Sequence, residues 1–203
     1  MQKRSEETHS RLMAAALQLF SQTGYEATSV ADICQAAGVS KGAFYHHYPS
    51  KQALFLELLH TWLAALDQQM NVAQRSAANV PQALLDMADL LQGVFQQSHQ
   101  YLTMFLEFWT QASRDPAIWQ AVIAPYRRYR EYFKAIFQRG VVEGSLRDYD
   151  PELAARLLVA VAVGLLLQSV LETDTSGWAH IPRQSIRIIL QGLVMTKETK
   201  KDK

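Results

Sequence analysis

Gly38 constrains this chain more than any other residue. The run 30–37 before it sets Val30, Ile33 and Ala37 where they lock onto a neighbouring helix, and the glycine breaks the run. Ser40 then stands where an N-cap is wanted, a second short helix fits over 41–47, and Pro49 forbids its continuation. Upstream, Thr28 or Ser29 can cap the first helix, with Asp32 in its first turn beside the positive end of the dipole. Two short helices joined by a glycine-containing turn make a helix-turn-helix over residues 28–51. Val39, Phe44 and Leu54 complete the set that holds it together, which leaves Lys41, Gly42, Tyr45, His46 and His47 for the outer face.

Helical periodicity continues on both sides. Leu12, Ala16, Leu19 and Phe20 share one face of a helix over 5–23 that Gly24 ends. Ser50 caps a long helix on which Leu54, Leu58, Leu59, Trp62, Leu66 and Met70 recur at helical spacing. The polar stretch 71–79 is expected to end it and to divide the functional regions. Pro81 starts a helix to 98, another spans 101–114, and Asp115 with Pro116 starts a third that reaches 143, its end bracketed by Gly140 and Gly144. Asp150, Pro151 and Glu152 open a helix to 173 with an acceptor, a proline at the first helical position and a carboxylate near the dipole. A loop over 174–179 precedes a last helix over 180–196. No strand pattern of useful length and no repeat is present, so the expected fold is all-α with about nine helices. A three-helix N-terminal head over 1–50 is joined through the long helix to a larger C-terminal helical domain over 51–197, followed by a charged tail over 198–203.

Composition narrows what such a chain does. Apolar residues make up 49% and charged residues 19%, enough for a core and unlike a disordered chain. The longest apolar run, 157–167, falls short of the ~20 residues that cross a bilayer. The first eight residues are polar, with no signal-peptide core. The expected compartment is the cytoplasm, with no membrane partner. Cys34 is the single cysteine, which excludes an intrachain disulfide and a multi-cysteine zinc site and suits a small buried thiol. The sequence has no His-Glu-x-x-His, no phosphate-binding glycine loop and no Gly-x-Ser-x-Gly, so no enzymatic activity, cofactor or metal is expected. Asp148, Asp150 and Glu152 fit a helix start better than a metal site, and the adjacent His46 and His47 point about 100° apart on a helix.

A helix-turn-helix lays its second helix in the major groove, reads base edges with its N-terminal residues and holds phosphates with its flanks. Lys41 and Gly42 occupy that end: the glycine lets the backbone approach closely, and the lysine can reach a guanine or a phosphate. Tyr45 can pack on a thymine methyl or bond a phosphate. Net charge is no guide, with twenty basic residues against nineteen acidic. The local window is, since no acidic residue lies between Asp32 and Glu57 while Lys41, His46, His47 and Lys51 do.

At Thr28, Ile33, Ala37, Gly38, Val39, Ser40, Gly42, Phe44, Tyr45, His47, Tyr48, Lys51 and Leu54 the chain closely resembles the TetR/AcrR family of bacterial transcriptional regulators, over residues 8–60. One departure is Tyr48, where phenylalanine is usual. The resemblance implies a homodimer on a palindromic double-stranded operator, with bases touched by Lys41, Gly42 and Tyr45 and phosphates held by Thr28, Ser40, His46, His47 and Lys51. It implies equally that the variable C-terminal part forms the dimer and a pocket for a small-molecule effector that releases the DNA. Phe44 and Tyr48 also read as core, and Thr28 as a cap alone.

The body carries residues suited to both tasks. The helices over 152–173 and 180–196 are apolar nearly all round, so either they are core in a monomer or they pair with a second copy. Leu157, Val161, Gly164, Leu165, Ile189 and Leu193 would form that dimer interface, with Gly164 and Gly192 permitting close approach. Between 80 and 143 the density of large side chains suits an apolar cavity with few polar groups, lined by Met87, Leu91, Met104, Phe105, Phe108, Trp109, Tyr129, Phe133 and Gln168 for a largely apolar effector. Glu107 either faces such a ligand or an internal arginine, or points to solvent. Two functions fit: a repressor that a ligand releases, and a DNA-binding or protein-interaction member of the same fold with no switch.

Overall fold

The computed structural model describes residues 2–97, 106, 110, 116–171, 178 and 180–193, without the side chains of 2–3, 91–97, 117, 122 and 170. Among them are eight helices: α1 (Gln2–Thr23), α2 (Val30–Ala37), α3 (Lys41–His47), α4 (Lys51–Ser76), α5 (Val80–Gln97), α6 (Pro116–Val142), α7 (Pro151–Leu171) and α8 (Ile181–Leu193). The helix expected over 101–114 lies outside the described residues.

Two compact units result, Met1–Leu66 with Gln97–Pro125 and Asp67–Gln96 with Tyr126–Lys203, so the division falls inside α4 and inside α6. α4 runs to Ser76 and so ends inside the polar stretch 71–79, where its end is expected. Val72, Ala73, Gln74 and Arg75 include neither glycine nor proline, and Gln74 accepts a hydrogen bond from the Tyr132 hydroxyl at 3.2 Å. The break comes at Asn79, whose Oδ1 accepts from the Gln82 amide at 2.9 Å and so caps α5.

In the first unit α1 packs on α2 and α3. Leu12, Ala16 and Phe20 of α1, Ile33 of α2, Phe44 of α3 and Leu54, Phe55 and Leu59 of α4 are buried almost completely. The Phe55 ring stacks on Tyr25 with centroids 4.4 Å apart and meets Phe20 edge-on at 5.3 Å, which locks α4 to the end of α1.

The second unit is tied by α7 packing on α8 and by polar clamps at helix ends. Glu152, in the first turn of α7, takes Arg130, Lys134 at 3.4 Å and Arg156 at 3.1 Å. Arg183 of α8 reaches Asp89 and the Leu85 carbonyl of α5, the latter at 3.3 Å. The Glu143 carboxylate accepts from the Val80 amide at 2.7 Å and the Ser145 hydroxyl at 2.6 Å, fixing the start of α5 to the end of α6. Gly140 is needed for this junction, because a Cβ there would stand 2.5 Å from Leu146 and 3.0 Å from Val80.

α7 extends on both sides of the apolar run 157–167. Pro151–Ser169, 19 residues at a mean hydropathy of 1.7, is long and apolar enough by length and composition to cross a membrane. Ala154, Ala155, Leu158, Val159, Leu165 and Ser169 are buried, whereas Leu153, Leu157, Leu167 and Leu171 stay exposed.

Candidate nucleic-acid interface

The local chemistry of 28–51 fixes the interface. Ser29 and Asp32 form a reciprocal capping box: the Asp32 amide donates to Ser29 Oγ at 3.1 Å, and the Ser29 amide and hydroxyl donate to the Asp32 carboxylate at 2.8 and 2.6 Å. These bonds hold the Asp32 carboxyl below its ordinary range. α2 ends at Gly38, left-handed at φ 61°, with the Val39 amide closing on the Cys34 carbonyl at 2.9 Å. Arg11 of α1 donates to the Gly38 carbonyl at 2.9 Å and braces the turn.

α3 starts on Ser40, whose Oγ accepts from the Ala43 amide at 3.1 Å, and Phe44 anchors it in the core. Lys41, Gly42, Tyr45 and His46 are all exposed, Tyr45 by 56%, and a Cβ at Gly42 would meet nothing nearer than Ser40 Oγ at 3.8 Å. The Tyr45 ring leans edge-on against Phe44 at 5.3 Å, so its direction is set from beneath. His47 is half-buried at the end of the helix, where the Tyr48 amide closes on the Phe44 carbonyl at 2.8 Å before Pro49.

Two residues expected at phosphates turn inward instead. Thr28 is 2% exposed; its hydroxyl lies 2.8 Å from the Gly24 carbonyl, to which it donates, and 2.9 Å from Thr23 Oγ1. The Lys51 ammonium donates to the carbonyls of Tyr25 at 2.6 Å and Thr28 at 2.8 Å and sits 4.1 Å over the Tyr25 ring. Burial pulls its pKa below the ordinary lysine range, with Glu26 acting the other way. Both residues hold the loop between α1 and α2, a role the linear motif does not display.

In the body, Met104, Phe105, Phe108 and Trp109 lie outside the described residues, as do Glu107 and the side chain of Leu91. Met87 is buried, and Tyr129 and Phe133 are half-buried. Gln168 is exposed and does not line the described cleft. A cleft of about 200 Å³ is lined by Asp67, Met70, Asn71, Arg128, Tyr129 and Tyr132. The Asp67 carboxylate joins the Tyr129 hydroxyl and Arg128, each at 2.8 Å; burial, then Asp67, pushes the Tyr129 phenol up. Among the described residues, Tyr129 alone of the expected pocket residues lines this cleft. On α7 and α8, Leu157 is 49% exposed, Val161, Gly164, Ile189 and Leu193 are half-buried, and a Cβ on Gly164 or Gly192 would meet open space. Leu165 is corrected to core, at 8% exposed, since it lies on the face turned into its own chain.

Comparison with known proteins agrees with this geometry. Residues 12–58 match the model of the bacterial regulatory proteins of the tetR family, and residues 81–191, more than half the chain, match that of the BetI-type transcriptional repressor, C-terminal. The HTH-type transcriptional regulator CymR of Pseudomonas putida is 28% identical over 191 residues, covering 92% of this chain and 91% of CymR. The HTH-type transcriptional repressor KstR2 of Rhodococcus jostii is 28% identical over 149 residues, 72% of each chain. A transcriptional regulator of Pseudomonas aeruginosa has a similar structure, at a TM-score of 0.79 and 27% identity over 91% of this chain and 88% of that one. Another, from Saccharomonospora viridis and crystallised with choline, shares the fold at a TM-score of 0.81 and 23% identity over 94% of this chain and all of that one.

Proposed function

Since the chain belongs to the TetR family of bacterial regulatory proteins, with a BetI-type C-terminal domain, we propose that it represses transcription as a homodimer on a two-fold operator and lets go when a small molecule fills its body. It is a DNA-binding transcriptional regulator. The observation that carries the finer reading is the division of labour on α3: Phe44 is buried, while Lys41, Gly42 and Tyr45 are exposed together. Lys41 and Tyr45 read base edges from the N-terminal part of the helix, and Gly42 lets the backbone close on them. Ser40, His46 and His47 hold phosphates, and Thr28 and Lys51 act behind them by fixing the loop.

The exposed Leu153, Leu157, Leu167 and Leu171 of α7 and Ile188 of α8 support pairing with a second copy, which would bury a helix otherwise apolar on its open side. The effector is small and acts through α4, which supplies Leu54 to the head core and Asp67 to the cleft. It must bind the DNA-incompetent arrangement more tightly to shift the balance. The protein works by binding alone, in the cytoplasm.

A gel shift on duplexes selected from random DNA tests the head. Lys41→Ala and Tyr45→Ala should each relax sequence preference at the positions they touch, by about 1–3 kcal/mol per contact. Unchanged preference in both would remove the base-reading assignment. A thermal-shift screen with apolar compounds and with choline tests the switch, because a true effector raises the melting temperature while weakening operator binding.

A further inference from the structure

His9 on α1 touches two other elements of the head at once. Its Nε2 lies 2.8 Å from Oε1 of Glu57 on α4, and its ring stacks on Tyr48 with centroids 5.7 Å apart at 25°. The same ring stands 6.0 Å from that of His47, the last residue of the recognition helix. Tyr48 is buried and its hydroxyl has no hydrogen bond of good geometry; burial, then Glu57, pushes the phenol up, so it stays neutral. The groups that face His47 are His46 on its own helix, 5.4 Å between rings, His9 from α1, Glu57 from α4 and Tyr48 at 6.4 Å. Desolvation, then His46, then His9 hold the His47 imidazolium below its ordinary range, and Glu57 opposes them.

We infer that His9 is a positioning residue for the phosphate-facing end of the recognition helix: held by Glu57 and Tyr48, it fixes the His47 ring and shapes the electrostatic surroundings in which that ring takes up a proton. DNA affinity therefore rises as the pH falls through the histidine range, along a profile to which His9 contributes. This rests on the reading that His47 meets a phosphate. A ring pinned between a carboxylate and a phenol cannot rotate freely, so it presents His47 with a fixed wall. Two imidazolium rings about 6 Å apart near the surface repel enough to move a midpoint by about half a pH unit, roughly threefold in proton affinity.

The test uses the full-length protein. His9→Gln keeps a donor for Glu57 and removes the ring and its charge, and His9→Lys keeps a charge without the ring. The His47 ring protons are titrated by NMR, assigned through their loss in His47→Asn. Affinity for a duplex selected by the wild-type protein is followed by fluorescence anisotropy from about pH 5.5 to 8, the span in which histidine changes charge. The expected result is a His47 midpoint about half a pH unit higher in His9→Gln, an affinity profile displaced with it, and a midpoint kept low in His9→Lys. The inference is overturned if His47 titrates alike in the wild type and in His9→Gln. A His47 midpoint that moves while the affinity profile stays put overturns the link to DNA and traces the failure to the phosphate reading.

Discussion

Lys51 sits inside the most informative motif of the sequence and yet works through partners the motif does not name. Its ammonium takes the carbonyls of Tyr25 and Thr28, 26 and 23 positions away. Lys51→Met keeps the stem and leaves both oxygens without that donor, so the head should lose about 1–3 kcal/mol, read from thermal or urea denaturation. Lys41→Met, at an exposed position, should leave stability within about 0.5 kcal/mol, and equal losses in the two would refute the clamp. The same distinction explains what was legible beforehand. Ser29, Asp32, Gly38 and Ser40 act on neighbours within five positions, which spacing alone reveals. Arg11 and His9 reach across 27 and 48 positions, to Gly38 and Glu57, and nothing in the linear pattern pairs them.

At the scale of elements, the helices of the head are readable because each carries its own stop signal, whereas for α4 the polar stretch 71–79 gives a zone for its end and not the residue. α4 ends inside that stretch at Ser76; polarity by itself means only exposure on one side, and the cap that marks the boundary is Asn79 at the start of α5. Ser29→Ala removes the cap of α2 and should destabilise the head by about 1 kcal/mol in a denaturant titration. Gly140→Ala should destabilise the body by more, since Leu146 and Val80 occupy the space of the new methyl. Helix ends also set the acid limit. The carboxyls of Asp32, Glu143 and Glu152 are each held below their ordinary range, first by the hydroxyl of Ser29, the hydroxyl of Ser145 and the guanidinium of Arg130. Their contribution is complete above the ordinary carboxylate range and is lost as the pH falls through their lowered values. The melting temperature should accordingly be flat down to about pH 5 and then decline.

For the molecule as a whole, the open leucines of α7 decide between one chain and two. Leu157→Glu places a charge on a face that is 49% exposed at that residue in the single chain, so folding should survive while self-association does not. Sedimentation should show the dimer dissociation constant rising by roughly thirtyfold, about 2 kcal/mol, with operator affinity falling alongside it. A variant that sediments as wild type would return α7 to the role of a lone core helix. The sequence displayed the apolar surplus of this helix but not which side of it was left over; Leu165 and Leu157, both expected at the interface, lie on opposite accounts of burial.

Cys34 offers a way to watch the head by itself. It is the one thiol of the chain, buried in α2 at 4% exposure, with desolvation pushing its pKa up and only Lys41 pulling it back. A disulfide reagent meets it only when α2 comes away from its neighbours, so the rate of labelling clocks the breathing of the DNA-reading head, with no dye or tag to install. Bound DNA should slow that clock, and a ligand that leaves the head intact while displacing DNA should restore its free rate.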